Sequence, residues 1–295
     1  MDKLVSVIIP TYNRGAPLVR TLKSLLKQEK ANFEILVVDQ SEKGFDSKKK
    51  FLRDHPEIRY FKISPPNAAA AKNFGVTKAK GKIILFVDDD IEAKEALIAY
   101  HLSNYADKKI IGVAGRVVTP GEKEEVARLG IGKIWSWGYV SGGFSSKLKQ
   151  KVMAVYGCNA SWRKEIFLKV GGFDEGFVGN ALREETDLSL RAGQWGKIVF
   201  EPEAAVIHCR AKSGGGRKDN RLTWYRDYFN NETLFMLKQV KWFWWWLFWL
   251  IRWQYFIRCL FGFGREVSWR SMLTTWQGII RGIKNYQRGR NARWG

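Results

Sequence analysis

The stretch GKIILFVDDDIEA, residues 81–93, sets four large apolar side chains (Ile83 to Phe86) and Val87 directly before three consecutive carboxylates, Asp88, Asp89 and Asp90. A short, continuous apolar run reads as a buried strand. Like charges on adjacent residues repel, so something must gather them at the strand's end. Two readings fit. Carboxylates there can bind a hard divalent cation, which takes oxygen ligands and bridges to phosphates. If the strand persists, Asp88 and Asp90 point the same way and Asp89 the other. The other reading is a helix cap, with Asp90 opening the helix that follows.

Outward from this stretch the chain alternates. LVSVIIP (4–10) and FEILVVD (33–39) are further apolar strands, and so is IIGVAG (110–115). Between them APLVRTLKSLLKQ spaces Leu18, Leu22, Leu25 and Leu26 at helical intervals, NAAAAKNFGVTKAK is helix-prone, and EALIAYHLSNY follows as a helix. Continuous apolar strands alternating with helices predict an α/β layer around a mostly parallel sheet. Ligands of such sheets collect beyond the strands' carboxyl ends, where Asp39 and the Asp88–Asp90 run both fall. Beyond Pro120 the alternation weakens. GIGKIWSWGYVSGGFSSKLKQ reads as an irregular excursion, KVMAVYGCNASW as strand-like and RKEIFLKV as helical. REETDLSLRAGQWG reads as a helix with Leu188, Ala192 and Trp195 on one stripe, and KIVFEPEAAVIH as short strands ending at His208.

The chain changes character near Cys209. Its 50 Lys and Arg exceed 29 Asp and Glu by 21, and residues 209–295 alone hold 17 basic and 4 acidic residues with 10 of the 14 tryptophans. This predicts a first domain over 1–208 and a basic, Trp-rich helical region over 209–295. Such charge implies an anionic partner: nucleic acid, nucleotide phosphates or a lipid surface. Three cysteines without a C-x-x-C, and three histidines without paired spacing, argue against a disulfide framework or a structural zinc. The opening MDKLVSVIIPTYN lacks a signal peptide's features, so the catalytic part is expected on the cytoplasmic side.

Five segments in order, VSVIIPTYNR, VVDQS, NAAAAKNFGVTKAKGKIILFVDDD, GCNASWRKEIFLKVGGFDE and REETDLSLR, resemble the family-2 glycosyltransferases over roughly residues 4–210. The resemblance implies a GT-A (Rossmann-like) fold, a mixed, mostly parallel central sheet flanked by helices. It implies an inverting enzyme using a nucleotide-diphospho-sugar, UDP-, GDP- or dTDP-linked, with Mn²⁺ or Mg²⁺. By position it assigns Pro10, Thr11, Tyr12, Arg14 and Asp39 to the donor's nucleoside side, with Ala70, Lys72 and Asn73 from the small-residue helix also facing the donor. Asp88 and Asp90 match its metal-binding DXD element, with Asp89 touching the donor sugar.

The family's acid pair before x-Asp-Leu is present as EETDL, so Glu185 stands where the base is normally Asp. Glu184 and Glu185 lie about 100° apart on a helix, so only one readily faces a given cleft, and Glu185 is the expected base. The bland reading of this helix is a charged surface, since Asp187 and Arg191 make a favourable i, i+4 pair. His208 matches a position the family often keeps near the diphosphate and metal. In CRAKSGGGRKDNR, glycines beside cations suit a loop closing over phosphates, with Arg217 the preferred contact. Asn159 and Asp174 are the acceptor-side candidates.

In KWFWWWLFWLIRWQYFIRCLFGFG the apolar decade Trp242–Ile251 is followed by Arg252, Gln254 and Arg258. A spanning helix needs about 20 apolar residues, and an arginine near its centre costs about 2.5 to 3.5 kcal/mol. A helix or helix pair lying in the interface, attracted to anionic lipids, is the expectation. The rival is a Trp-rich core or dimer face, and a homo-oligomer stays open. The resulting expectation is a glycosyltransferase at the cytoplasmic membrane face acting on a lipid-linked or cell-surface glycan hydroxyl in polysaccharide biosynthesis. The alternative acceptor is a polyprenyl phosphate. A nucleic-acid binder follows from charge alone but leaves the ordered acidic motifs unexplained.

Overall fold

The computed structural model describes residues 4–28, 31–42, 49–122, 129–179, 181–211, 214–215, 221–261 and 269–291. In chain order the elements are β1 (Val5–Thr11), α1 (Ala16–Leu25), β2 (Phe33–Asp39), α2 (Lys49–Asp54), β3 (Ile58–Lys62), α3 (Ala68–Lys78), β4 (Ile83–Val87), β5 (Ile91–Ala93), α4 (Leu97–Asn104) and β6 (Ile110–Val118). There follow β7 (Gln150–Val152), β8 (Asn159–Arg163), α5 (Lys164–Lys169), α6 (Glu184–Ala192), β9 (Lys197–His208), α7 (Arg221–Gln239), α8 (Trp245–Leu250), α9 (Trp253–Phe261) and α10 (Trp269–Asn291).

The strands form one sheet in the order β3-β2-β1-β4-β8-β6-β9-β5, with β7 also on β9. β3, β2, β1 and β4 run parallel, while β8 is antiparallel to both its neighbours. This is the expected mixed, mostly parallel sheet flanked by helices. Period-2 alternation sorts its side chains. Val5, Val7, Ile9, Ile83, Leu85 and Val87 pack against α1 and α4 on one face. Ile8, Leu36, Ile84 and Phe86 pack against α3 on the other. At Gly75 a Cβ would lie 2.5 Å from a methyl of Ile8, so glycine is what lets α3 approach β1.

Four local expectations change. The triplet opens no helix: Asp88 follows β4, Asp89 and Asp90 form a turn, and β5 comes next. The apolar stripe of α6 stops at Ala192, because the helix ends there and Trp195 lies outside it, half exposed beneath the ammonium of Lys169 at 3.4 Å. KVMAVYGCNASW is two strands with a bend between, and KIVFEPEAAVIH is one strand whose register shifts at Gly115/Arg116.

The described residues after 220 are mostly helical and pack on the rest of the chain. Phe177, Ala181, Leu234, Phe235 and Phe248 share one apolar cluster. Asn231 bonds both the N–H and the carbonyl of Val178. Arg252, read from the sequence as an interfacial cation, is instead buried. It donates to Glu232 at 2.6 Å and to the carbonyls of Phe248 and Gly138 at 2.8 and 2.9 Å, and Glu232 also pairs with Arg183 at 2.9 Å. No helix among the described residues is long and apolar enough to cross a membrane.

Candidate active site

Parallel strands deliver their carboxyl ends to one edge of the sheet, and β9, running parallel to β6, delivers His208 there as well. Asp88, Asp90 and His208 each offer a ligand atom, all within 4.8 Å of one another. His208 Nε2 lies 3.2 Å from Asp90, while its Nδ1 is buried without a hydrogen-bond partner. Two carboxylates and an imidazole, one of whose ring nitrogens is orphaned, fit a divalent cation such as Mn²⁺ or Mg²⁺. Asp90 is partly desolvated, which alone would raise its pKa. The hydrogen bond to His208, the charge of Arg14 and the N–H of Ala211 outweigh this and hold it down at about 2.

Asp89, in the turn after β4, is not among the three clustered ligand residues, although Arg14 joins its carboxylate to that of Asp90. It is buried, accepting from Thr11 Oγ1 at 2.6 Å and from the Arg14 guanidinium, so both its oxygens are engaged inside the protein and not turned to a donor sugar. Burial pushes its carboxyl up to about 6, against the opposing pull of Arg14 and Thr11. Arg14 also reaches Asp90 at 2.9 Å and the carbonyl of Gly214 at 3.3 Å. Arg14 and Thr11 thus brace the acidic turn. Their neighbour Tyr12 is half-buried and accepts from Gly215 N–H through its carbonyl, and Pro10 is half-buried on β1. Asp39 sits level with Thr11 in register, wholly buried, receiving Tyr60 Oη at 2.5 Å and the N–H of Ser41 at 2.8 Å.

On the other flank, α3 and α6 meet. Lys72 is buried, forms an ion pair with Glu184, and lies 5.0 Å from the Phe173 ring centre. Burial works against its ammonium, but Glu184, Asp88 and Glu185 together hold its pKa above the ordinary value. Burial likewise raises Glu184 to about 7 despite Lys72. Glu185 is half-buried, and among the described residues no ion pair fixes it. A Cβ at Gly157 would lie 3.7 Å from both the Glu185 carboxyl carbon and Lys72 Nζ, so the two groups share one wall. Burial raises the pKa of Glu185, and Asp88 adds to the rise against the pull of Lys72 and Arg183.

Other sequence candidates fall elsewhere. Asn73 accepts from the N–H of Phe173 and donates to that residue's carbonyl and to Glu175, so it brackets a turn instead of facing a donor. Ala70, half-buried on α3, gives its N–H to the Asn67 cap. Asn159 is wholly buried between His101 and the carbonyls of Arg116 and Ala204, which leaves no atom for an acceptor. Asp174 is taken by Lys238 at 2.5 Å and by the N–H of Gly176. Arg217 lies outside the described residues. Sequence reasoning missed Tyr60 against Asp39. It also missed the Tyr156–Gly157–Cys158 bend, whose tyrosine and cysteine lie close enough to Asp88 for its charge to raise their pKa values further after burial. Only the Y-G-C break between two apolar runs hinted at the latter.

Residues 6–171 match the family described as Glycosyl transferase family 2. Among curated proteins, the glycosyltransferase GlyG of Streptococcus pneumoniae serotype 4 is 36% identical over 101 residues, 33% of this chain and 34% of that protein. An uncharacterised glycosyltransferase of Rickettsia bellii is 39% identical over 90 residues, 30% of this chain and 13% of its own. The chain thus covers well under two thirds of either relative. Among solved structures, the mannosyltransferase PcManGT of Pyrobaculum calidifontis, in complex with GDP-Man and Mn²⁺, superposes with a TM-score of 0.59 at 15% identity, covering 96% of this chain and 86% of that one. GalNAc-T7 with UDP, GalNAc and Mn²⁺ gives 0.62 at 18%, covering 79% and 48%. With the family's pattern matched over more than half its length and the fold shared with these structures, the chain belongs to glycosyl transferase family 2.

Proposed function

We propose that the protein is an inverting, metal-dependent glycosyltransferase that moves a sugar from a nucleotide-diphospho-sugar to a hydroxyl of a lipid-linked or cell-surface glycan at the cytoplasmic membrane face. The observation that carries this is that Asp88, Asp90 and His208 lie within 4.8 Å of one another at the strands' carboxyl ends, with Glu185 of α6 near enough to feel the charge of Asp88. Asp88, Asp90 and His208 would hold Mn²⁺ or Mg²⁺, which supplies charge stabilisation to the departing diphosphate. Glu185 takes the proton of the acceptor hydroxyl. As that oxygen forms its bond to the sugar's anomeric carbon, the bond to the diphosphate breaks on the opposite side and the configuration inverts. A raised pKa suits Glu185 to this work, since a base is most effective near the operating pH. Lys72 and Glu184 set the wall from which Glu185 projects, and Arg14 holds the acidic turn. The Asp39–Tyr60 pair and Tyr12 form the nucleoside side.

Membrane contact is assigned to the helices after residue 220, whose exposed Trp242, Trp246 and Trp253 suit the headgroup level. We place the unit boundary at residue 208, where the sheet ends.

The test is a panel of nucleotide sugars assayed with Mn²⁺, with Mg²⁺ and with chelator, on wild type and Glu185→Gln. Metal-dependent transfer that falls about 10²- to 10⁴-fold in the variant, with donor binding kept, is the expected result. No transfer or hydrolysis from any donor would reject the reading. Undiminished turnover in Glu185→Gln would favour a phosphate acceptor, which is already anionic and needs no base.

A further inference from the structure

The glutamates of α6 follow a strained turn. Ala181 and Arg183 both take left-handed backbone, with φ of 53° and 81°, a conformation that suits glycine and costs any residue with a side chain. Glu184 gives its N–H to the carbonyl of Ala181 at 3.0 Å, and the Arg183 carbonyl receives the N–H of Asp187 at 2.9 Å, so this turn sets where the helix starts and how it is rotated. Strain of this kind persists only where surrounding contacts impose it. Here α7 supplies them. Glu232, 1% exposed, receives Arg183 Nε at 2.9 Å through one oxygen and Arg252 Nε at 2.6 Å through the other. The Arg183 guanidinium also lies 5.2 Å from the ring centre of Phe235, on the same helix.

α7 grips the start of α6 a second time. Asp187 is wholly buried and receives Gln239 at 2.6 Å and Lys238 at 3.0 Å, with Arg191 of α6 at 2.9 Å as well. Glu185 stands midway in sequence between these two handles and about 200° around the helix from Asp187, so the gripped side and the side carrying Glu185 are opposite. On its own side Glu185 shares a wall with Lys72 and Gly157. The charges acting on it are Lys72, Arg183, Asp88 and Glu184, with the Tyr156 hydroxyl also in reach. Arg183 thus faces two ways: it pulls on the Glu185 carboxylate while its own ion pair is with Glu232.

We propose that Glu232 is a positioning residue for sugar transfer: through Arg183 it fixes the turn that starts α6 and so aims Glu185 into the cleft, and it offsets the Arg183 charge beside that base. The proposal rests on Glu185 being the base, as proposed above, and carries the active-site scaffold past residue 208 into α7. Transfer by the full chain is measured against pH with saturating Mn²⁺ and donor, and circular dichroism checks that each variant folds. In Glu232→Gln the Arg183 charge is unopposed and keeps the Glu185 carboxylate ionised to lower pH, so the acid limb of the kcat profile should move down by at least about 0.5 unit. Arg183→Gly accepts the left-handed turn but removes the charge, and should move the limb up by about as much. In both, kcat should fall at least about tenfold while donor KM changes less than about twofold, the pattern of a lost transition-state interaction. Glu232→Gln combined with Arg252→Met removes one of the two stranded cations, and should show the same downward shift if the single variant does not fold. Arg252→Met alone keeps the Arg183–Glu232 pair and should leave limb and kcat unchanged, whatever it does to stability. A limb that stays put, limbs that move the same way in Glu232→Gln and Arg183→Gly, or an equal loss of kcat in Arg252→Met would overturn the assignment. Undiminished turnover in Glu185→Gln removes the base itself and this proposal with it, whereas a Glu185→Gln loss with unmoved limbs in the other variants rejects the positioning alone.

Discussion

Lys72 and Glu184 are 5% and 2% exposed and paired with each other, so removing either partner leaves a charge out of water. The two single changes should differ in cost. Lys72→Met preserves the bulk of the stem and strands Glu184, but that carboxyl already sits at about 7 and can take up a proton near neutral pH. The loss is then chiefly that of one buried hydrogen bond, about 1 to 3 kcal/mol. Glu184→Gln strands an ammonium whose pKa lies above its ordinary value, with Asp88 and Glu185 as its remaining counter-charges. Shedding that proton is harder, so the cost should reach about 3 to 5 kcal/mol. Lys72→Met combined with Glu184→Gln removes both charges, and such replacements are often close to neutral. The coupling in the cycle should be at least about 2 kcal/mol. Urea unfolding followed by far-UV circular dichroism, near neutral pH and in chelator, measures all four proteins. Costs that simply add in the double variant, or a Lys72→Met loss exceeding that of Glu184→Gln, would refute the pairing and its asymmetry.

His101 is wholly buried between Ser161 and Asn159, and burial depresses its pKa from 6.5 to about 4. The unfolded chain therefore binds the extra proton first, so this contribution of about 3 kcal/mol is complete above about pH 6.5 and lost as pH falls towards 4. His101→Leu should flatten the pH dependence of urea unfolding over that window. Glu232→Gln leaves Arg183 and Arg252 facing each other without their anion and should cost about 3 to 5 kcal/mol, read as a fall of roughly 10 °C in Tm. Asp90→Asn should weaken Mn²⁺ binding at least about tenfold by electron paramagnetic resonance titration, whereas Asn73→Ala should leave it unchanged.

Much of the fold was legible because its signals are local. β1, β2 and β4 are unbroken apolar runs, and the β4 run ends at the acidic triplet, so strand positions and the acidic edge followed from periodicity alone. The helix cap at Asp90, equally open from the triplet alone, fails because β5 follows at once and returns the chain to the sheet beside His208. Alternation singled out Asp89 from Asp88 and Asp90 on the condition that the strand persisted, but the strand ends at Val87 and a turn, with its distant partners, sets the three apart. Thr11 lies 78 residues away in sequence, and its hydroxyl removes Asp89 from the cleft.

The sequence by itself determined the α/β layer, the acidic strand end and the change of character at the basic, Trp-rich region, since hydrophobic period and charge density are properties of neighbours along the chain. Only the tertiary structure decided which of two adjacent glutamates is claimed by an ion pair among the described residues. Lys72 claims Glu184 from 112 residues away, and a helix offers Glu185 a direction about 100° off. It also decided that Arg252 is buried. A lone arginine after ten apolar residues reads as a cation seeking water, until Glu232, on a helix folded back against it, supplies the opposite charge that makes burial tolerable.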